Sequence, residues 1–360
     1  WPILIFMGLA WLSLINAPNT ERSIVVLTFT AFTILVSLFL PNILTSEAKL
    51  KTMLTVIIIG MGVTCAFGIY QFAGDLAGLP TSLTGLRDLY TKDILGFPRI
   101  QSTALEPLYF ANYLLLPLSL LLTLFLKKHS PFSRNVSIVL LLLAGINFVL
   151  TVSRGGYIAG AVSVLFIAAF TLRQLFTLRN LVTVAVIVVL VGGISVRFLN
   201  QGEALEKFVV HAQNIFGGAS YSERVETYEI AYRAILEHPL LGIGMGSFGP
   251  YASYHPYVVP SQGYQIVNNE YLELAAENGI LGLVAFVVIL VTLAVRTVKA
   301  YRQTQSSWLK SVIIGLSAAL IGILIQYNTF SILYIMHVWV TLGLLMCVQQ
   351  LILNRHESVQ

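Results

Sequence analysis

Apolar residues fall along this chain in blocks that approach or pass the ~18 positions a helix needs to cross a bilayer. The blocks occupy residues 1–15, 23–40, 50–73, 105–126, 136–152, 157–172, 181–196, 280–295, 311–327 and 330–353, with short polar linkers between them. Lipid offers no hydrogen-bond partner to a backbone, so each block is read as a helix. The pattern predicts an all-α integral membrane protein of about ten transmembrane helices. One long polar stretch interrupts it, from about Val196 to Asn278. It carries Arg197, Lys207, Arg224 and Arg233 and a run of glutamates from Glu203 to Glu277. That stretch predicts a mainly helical extracytoplasmic loop domain. The expected organisation is helices 1–7 over residues 1–195, the loop domain over 196–279, and helices 8–10 over 280–360.

Composition agrees with the pattern. Hydrophobic residues make up 57% of the 360 and charged residues 10%, against about 25% charged in an average soluble domain. The cations cluster in particular linkers. Lys49 and Lys51 precede the third block, and Lys127, Lys128 and Arg134 follow the fourth. Arg173 and Arg179 follow the sixth, Arg296, Lys299, Arg302 and Lys310 follow the eighth, and Arg355 follows the tenth. Ten alternating spans put all of these on one side, which the positive-inside rule makes cytoplasmic. Asp75, Asp88, Asp93, Glu106 and the carboxylates of the long loop then lie outside. The net charge of +5 thus reflects topology, and no nucleic-acid partner is expected. An outward-facing site also has no ATP or NAD(P)H. Trp1 opens the chain inside an apolar block without a Met, so the chain is expected to be trimmed, with room for an earlier span. Cys65 and Cys347 lie within blocks and read as packed small residues, neither a disulfide framework nor a metal site.

Several outer segments carry candidate chemistry. Ser153-Arg154-Gly155-Gly156 opens the sixth block. An arginine there can snorkel to headgroups, or it can hold a phosphate beside a helix N-terminus, with glycines admitting close backbone approach. Residues 221–233 read as an amphipathic helix with Ser222 as N-cap and Val225, Tyr228 and Tyr232 on one face. Arg224 at its start is a second candidate cation. Residues 237–249 run Glu-His-Pro-Leu-Leu-Gly-Ile-Gly-Met-Gly-Ser-Phe-Gly. The spacing of Gly244, Gly246 and Gly249 imitates a dinucleotide fingerprint, but no βαβ unit surrounds it. A turn closing the loop is the better reading, with His238 before Pro239 ending a helix. Tyr251, Tyr254, His255, Tyr257 and Tyr264 suit an interfacial belt or a sugar-stacking surface equally. Asn268 or Asn269 can cap a short helix that places Glu270, Glu273 and Glu277 on one face. Those carboxylates are either solvated or available to deprotonate a hydroxyl. Glu106, just before Pro107 at the mouth of the fourth block, is a further functional carboxylate on the same logic.

Taken in order, these segments resemble the O-antigen ligase/polymerase family of bacterial envelope glycosyltransferases. The landmarks are Ser153-Arg154-Gly155-Gly156, Arg224 within Tyr-Ser-Glu-Arg, His238 to Gly244, and Asn269-Glu270-Tyr271-Leu272 with Glu277 and Gly279. They cover roughly residues 99–283. The resemblance implies a multi-pass protein of the bacterial cytoplasmic membrane with its long loop outside. It implies transfer of a glycan from a polyprenyl-diphosphate carrier to a saccharide, lipid or protein acceptor, with no nucleotide, metal or other cofactor. By motif position Arg154 and Arg224 would hold the diphosphate, with Ser153, Gly155, Glu106, His238, Asn269 and Tyr271 around the substrates. Ligases of the family carry His at the position of Asn268, and neutral Asn is a poor base. Either Glu270, Glu277 or Glu106 replaces it, or the acceptor needs no strong base. Polymerase and ligase both stay open. The alternative from another class is a transporter or flippase for lipid-linked sugar, against which stands the absence of a visible internal repeat.

Overall fold

The computed structural model describes residues 1–175, 219–260 and 263–357. The expected span at 181–196 and the first part of the polar stretch, with Arg197, Glu203 and Lys207, lie outside the described residues. Every regular element among the described residues is helical. In chain order these are α1 (Pro2–Ser13), α2 (Thr20–Ile43), α3 (Glu47–Leu76), α4 (Thr81–Thr84), α5 (Lys92–Leu95), α6 (Pro107–Leu126), α7 (Arg134–Leu150) and α8 (Arg154–Leu175). Then follow α9 (Ala219–Glu237), α10 (Phe248–Ala252), α11 (Glu270–Gln303), α12 (Ser307–Gln326) and α13 (Met336–Glu357). Seven of them, α2, α3, α6, α8, α11, α12 and α13, are long and apolar enough to cross a membrane. Two shorter apolar helices, at Pro2–Asn16 and Arg134–Leu150, stand where the first and fifth blocks were expected.

Polar residues in the linkers set the helix starts. The Asn19 side chain accepts the Arg22 amide at 3.0 Å, Ser46 accepts that of Lys49 at 3.3 Å, and Asn269 that of Leu272 at 3.1 Å. Each satisfies one of the amides that a first helical turn leaves without a carbonyl partner. Of the two cap candidates at 268 and 269, Asn269 takes the role. Ser222, expected as a cap, lies inside α9, which begins at Ala219.

The helices form two compact units. Unit 1 holds α1, α2, α9, α10, α11 and α13. Within it, α13 lies on α2 through Gly343, where an added Cβ would sit 2.8 Å from the Ser37 carbonyl oxygen. Gln349 of α13 donates to Leu293 O at 3.0 Å and to Thr297 Oγ1 at 2.8 Å on α11. Unit 2 holds α3 to α8 and α12. There α12 packs on α6 and α8 through Gly315 and Gly322. Ser163 Oγ donates to Ala318 O at 2.9 Å, and Asn112 Nδ2 to Gln326 Oε1 at 3.0 Å. Small residues and interhelical hydrogen bonds of this kind hold apolar helices together where lipid removes the hydrophobic drive. Cys65 and Cys347 are both buried and free.

Helix α11 is two helices in line. Gly279 (φ +66°, ψ −178°) breaks it, in a region of backbone space that only glycine occupies cheaply. A short helix, residues 270–278, therefore precedes the long apolar one. The His238–Gly249 turn docks on this break. Ile243 N donates to Ala276 O at 3.0 Å, Gly244 N to Glu277 O at 2.9 Å, and Ile280 N to Pro239 O at 2.9 Å. The GxGxxG segment is thus a backbone clamp on α11, with no βαβ unit among the described residues.

Candidate functional site

In unit 1 the chemistry-bearing residues gather at the start of α11. The short helix brings Glu270, Glu273 and Glu277 to one cavity of about 70 Å³, which Arg22 of α2, Ser331 and Tyr334 also line. The expectation of a shared face holds, but the solvated reading does not: Glu270 is 3% and Glu277 7% exposed. The carboxylates differ in what they already bind. Glu277 accepts the Gly246 amide at 2.7 Å on one oxygen and the Phe248 amide at 2.9 Å on the other. Glu273 accepts the Val267 amide at 2.7 Å and the Ser331 hydroxyl at 2.6 Å. Glu270 has the Ile332 amide beside it, but its Oε2 is buried without a hydrogen-bond partner.

Arg22 escaped the sequence reading. Its Nε donates to Gly246 O at 3.0 Å, and its guanidinium lies 4.5 Å from the centroid of the Tyr264 ring. A signal for it was present. On the topology read from the linkers, Arg22 falls between the first two spans on the outer side, against the bias that keeps arginine inside. An outer arginine beside a span calls for a partner.

The motif residues around this cavity have definite places. Asn268, at the family's histidine position, has φ +60° and donates its Nδ2 to Ile266 O at 3.4 Å. Asn tolerates that left-handed conformation better than most residues. Tyr271 is half-buried, edge-on to Tyr327 at 6.4 Å between ring centroids. His238 closes α9: its amide donates to Ala234 O at 3.0 Å and its carbonyl accepts the Gly242 amide at 2.9 Å. Arg224, half-buried on α9, donates to Thr329 O at 3.3 Å. The buried face of α9 is Thr227, Ala231 and Ala234. The expected face is corrected here, since Val225 and Tyr232 are exposed. Small alanines let α9 approach α11 closely, and Tyr228, Ile230 and Ile235 pack beside them, partly buried.

In unit 2 a second polar cluster surrounds the start of α8. Ser153 is buried and its Oγ accepts the Gly156 amide at 3.2 Å, so it caps the helix that Arg154 begins. Arg154 and Gly155 are half-buried. An added Cβ on Gly156 would lie 3.0 Å from that of Ala111, so the small residue lets α8 approach α6. Just upstream, Val152 has φ +49°, a strained setting for a β-branched residue that costs about 1–3 kcal/mol. Arg99 supports this turn. Its Nε donates to Thr151 O at 3.2 Å and its terminal nitrogen to Val152 O at 3.2 Å. The Arg99 guanidinium is close enough to Arg154 for each to feel the other's charge, and burial lowers the Arg99 pKa. Two arginines close together at a helix start form a cationic corner suited to an anion.

Glu106 belongs to the same corner. It is hydrogen-bonded to Tyr90 and near Arg87 and Arg99, and burial raises its pKa above the ordinary carboxylate value. A carboxyl raised in the folded state binds its proton more tightly there than in the unfolded chain. The stability it contributes is present at low pH and lost as pH rises through the folded value. Glu106→Gln, neutral at every pH, is expected to keep the acid-side stability and abolish its loss as pH rises, while keeping a group that can bond Tyr90. Melting temperature against pH for detergent-solubilised protein checks this: the wild type should lose stability relative to Glu106→Gln as pH rises through the folded value, and parallel curves would show that Glu106 is not the titrating group.

Stacked apolar helices, polar helix starts and two buried polar clusters define a multi-pass helical membrane protein. Residues 139–287, which contain Arg154, Arg224, His238 to Gly246, and Asn268 to Gly279, match the O-antigen ligase family model. No curated protein matches the chain.

Proposed function

We propose that this protein is a glycosyltransferase that moves a glycan from a polyprenyl-diphosphate carrier to a saccharide, lipid or protein acceptor. The reaction takes place at the outer face of the bacterial cytoplasmic membrane. The observation that carries this reading is the family match over residues 139–287, since that segment supplies both motif arginines and the acid-lined cavity. The family match supports a ligase or polymerase type. The donor, the sidedness and the residue roles are our reading.

Arg154 and Arg224 are the cations proposed to contact donor phosphate. Breaking the sugar–phosphate bond leaves the electron pair on the departing diphosphate. Preorganised guanidinium groups stabilise that developing charge more than they stabilise the ground state. Ser153 and Gly155 would present the start of α8 to the same anion. Asn269 and Tyr271 are proposed near the acceptor, with Glu106 and His238 at the edges of the two clusters. Replacing Arg154 and Arg224 separately by Ala tests the reading, with the magnitudes argued in the Discussion.

A further inference from the structure

We propose that the cavity lined by Arg22 and Glu270 is the acceptor-hydroxyl site of unit 1, and that Glu270 is its base. This deepens the transferase reading and rests on it. The three carboxylates of the cavity are not equivalent. Glu277 holds the glycine turn by both of its oxygens. Glu273 holds the Val267 backbone and Ser331. Glu270 alone of the three has a buried oxygen with no partner, at 3% exposure, in the wall of the cavity. A buried carboxylate oxygen left unpaired costs on the order of 1–3 kcal/mol or more. The arrangement makes sense when a donor comes from outside the chain.

Size narrows the class of donor. About 70 Å³ is room for a few waters or for a protruding hydroxyl or hydroxymethyl group, not for a whole sugar ring. Charge narrows it further. Arg22 is the one cation among the described lining residues, facing three acids, so an anionic ligand is disfavoured and a neutral alcohol fits. Arg22 would bond the alcohol's oxygen or a neighbouring hydroxyl, while Glu270 Oε2 accepts the proton.

The step balances. The acceptor O–H gives its proton to Glu270 Oε2. The freed oxygen pair forms the bond to the anomeric carbon of the donor. The bond from that carbon to the diphosphate oxygen breaks, and its pair leaves with the polyprenyl diphosphate. The proton then passes from Glu270 to water. A base so placed supplies the role for which Asn268 is unsuited, and contributions of general bases run to about 10²–10⁴-fold.

Azide separates a base from a structural residue, because it attacks the anomeric carbon without first losing a proton and is small enough for the cavity, and Glu270→Ala removes one of the acids that would repel it there. Full-length protein in nanodiscs would be given polyprenyl-diphosphate glycan, with either a source-membrane lipid fraction as hydroxyl acceptor or sodium azide. Glu270→Ala is expected to lose hydroxyl transfer by about 100-fold or more and to form more glycosyl azide than wild type. Glu270→Gln, close to isosteric, guards against misfolding: it should bind donor as wild type does and lose hydroxyl transfer to a similar degree. Hydroxyl transfer retained by Glu270→Gln would overturn the proposal. So would a folded Glu270→Ala protein that makes no glycosyl azide. A wild-type protein that releases no carrier diphosphate with any acceptor would instead remove the transferase reading, and this inference with it.

Discussion

A Gly279→Ala protein is expected to lose about 3 kcal/mol of stability or more, from two sources that act together. The first is conformational. At φ +66° and ψ −178° an L residue sits in a region essentially reserved for glycine, at about 1–3 kcal/mol. The second is steric. A Cβ there would fall inside the van der Waals radius of the Leu240 carbonyl oxygen. That group is backbone within the docked turn, so relief means moving the turn, and overpacking of this kind costs about 1–3 kcal/mol. The clamp that would move also carries Gly246 and Phe248, whose amides hold Glu277. Loss of transfer should therefore accompany the loss of stability. Thermal unfolding of purified protein in detergent measures the first, and a melting temperature within a degree of wild type would contradict the account of the break.

The second large effect concerns Arg154 and Arg224. Each is expected to lower glycan transfer about 10²–10³-fold when replaced by Ala, the range seen when one preorganised donor to a developing oxyanion is removed. Stability should change little by comparison. Arg224 makes one 3.3 Å bond to Thr329 O, and the α8 start keeps its Ser153 cap whatever follows it. Lys variants should recover only part of the rate, because an ammonium cannot reproduce the planar two-pronged contact of a guanidinium with phosphate. The two arginines belong to different units, so each is tested on its own. Steady-state transfer rates alongside melting curves separate the two effects. Wild-type rates in both variants would show that neither arginine meets the donor.

The parts legible in the sequence were those that local physics dictates. Long apolar blocks had to be helices because lipid leaves the backbone no other partner, and nine of the ten blocks have a helical counterpart among the described residues. Asn269, as one of two cap candidates, and the turn at His238–Gly249 were readable because caps and glycine turns are short-range devices. Long-range partnership was not readable. Arg22 reaches Gly246 across more than two hundred residues, and no window of sequence contains both. The periodicity of Glu270, Glu273 and Glu277 showed that they share a face. It could not show that two of them are held by backbone amides and a hydroxyl from distant turns while the third has a free oxygen. The α9 face was only partly legible for a related reason: Tyr228 packs against the core as read, but close approach to α11 selected Ala231 and Ala234 in place of Val225 and Tyr232. Arg99 sat in plain view, yet its role in the strained Val152 turn depends on a contact some fifty residues away.

The most direct test of the central claim is a single-protein transfer assay. Purified protein in nanodiscs is supplied with polyprenyl-diphosphate glycan and a source-membrane acceptor fraction, and carrier diphosphate and glycan product are counted together. The account expects one carrier diphosphate released for each glycan transferred, with both signals lost in the Arg154→Ala and Arg224→Ala proteins. Movement of intact lipid-linked glycan between leaflets, with no carrier release and no new glycosidic bond, would contradict it.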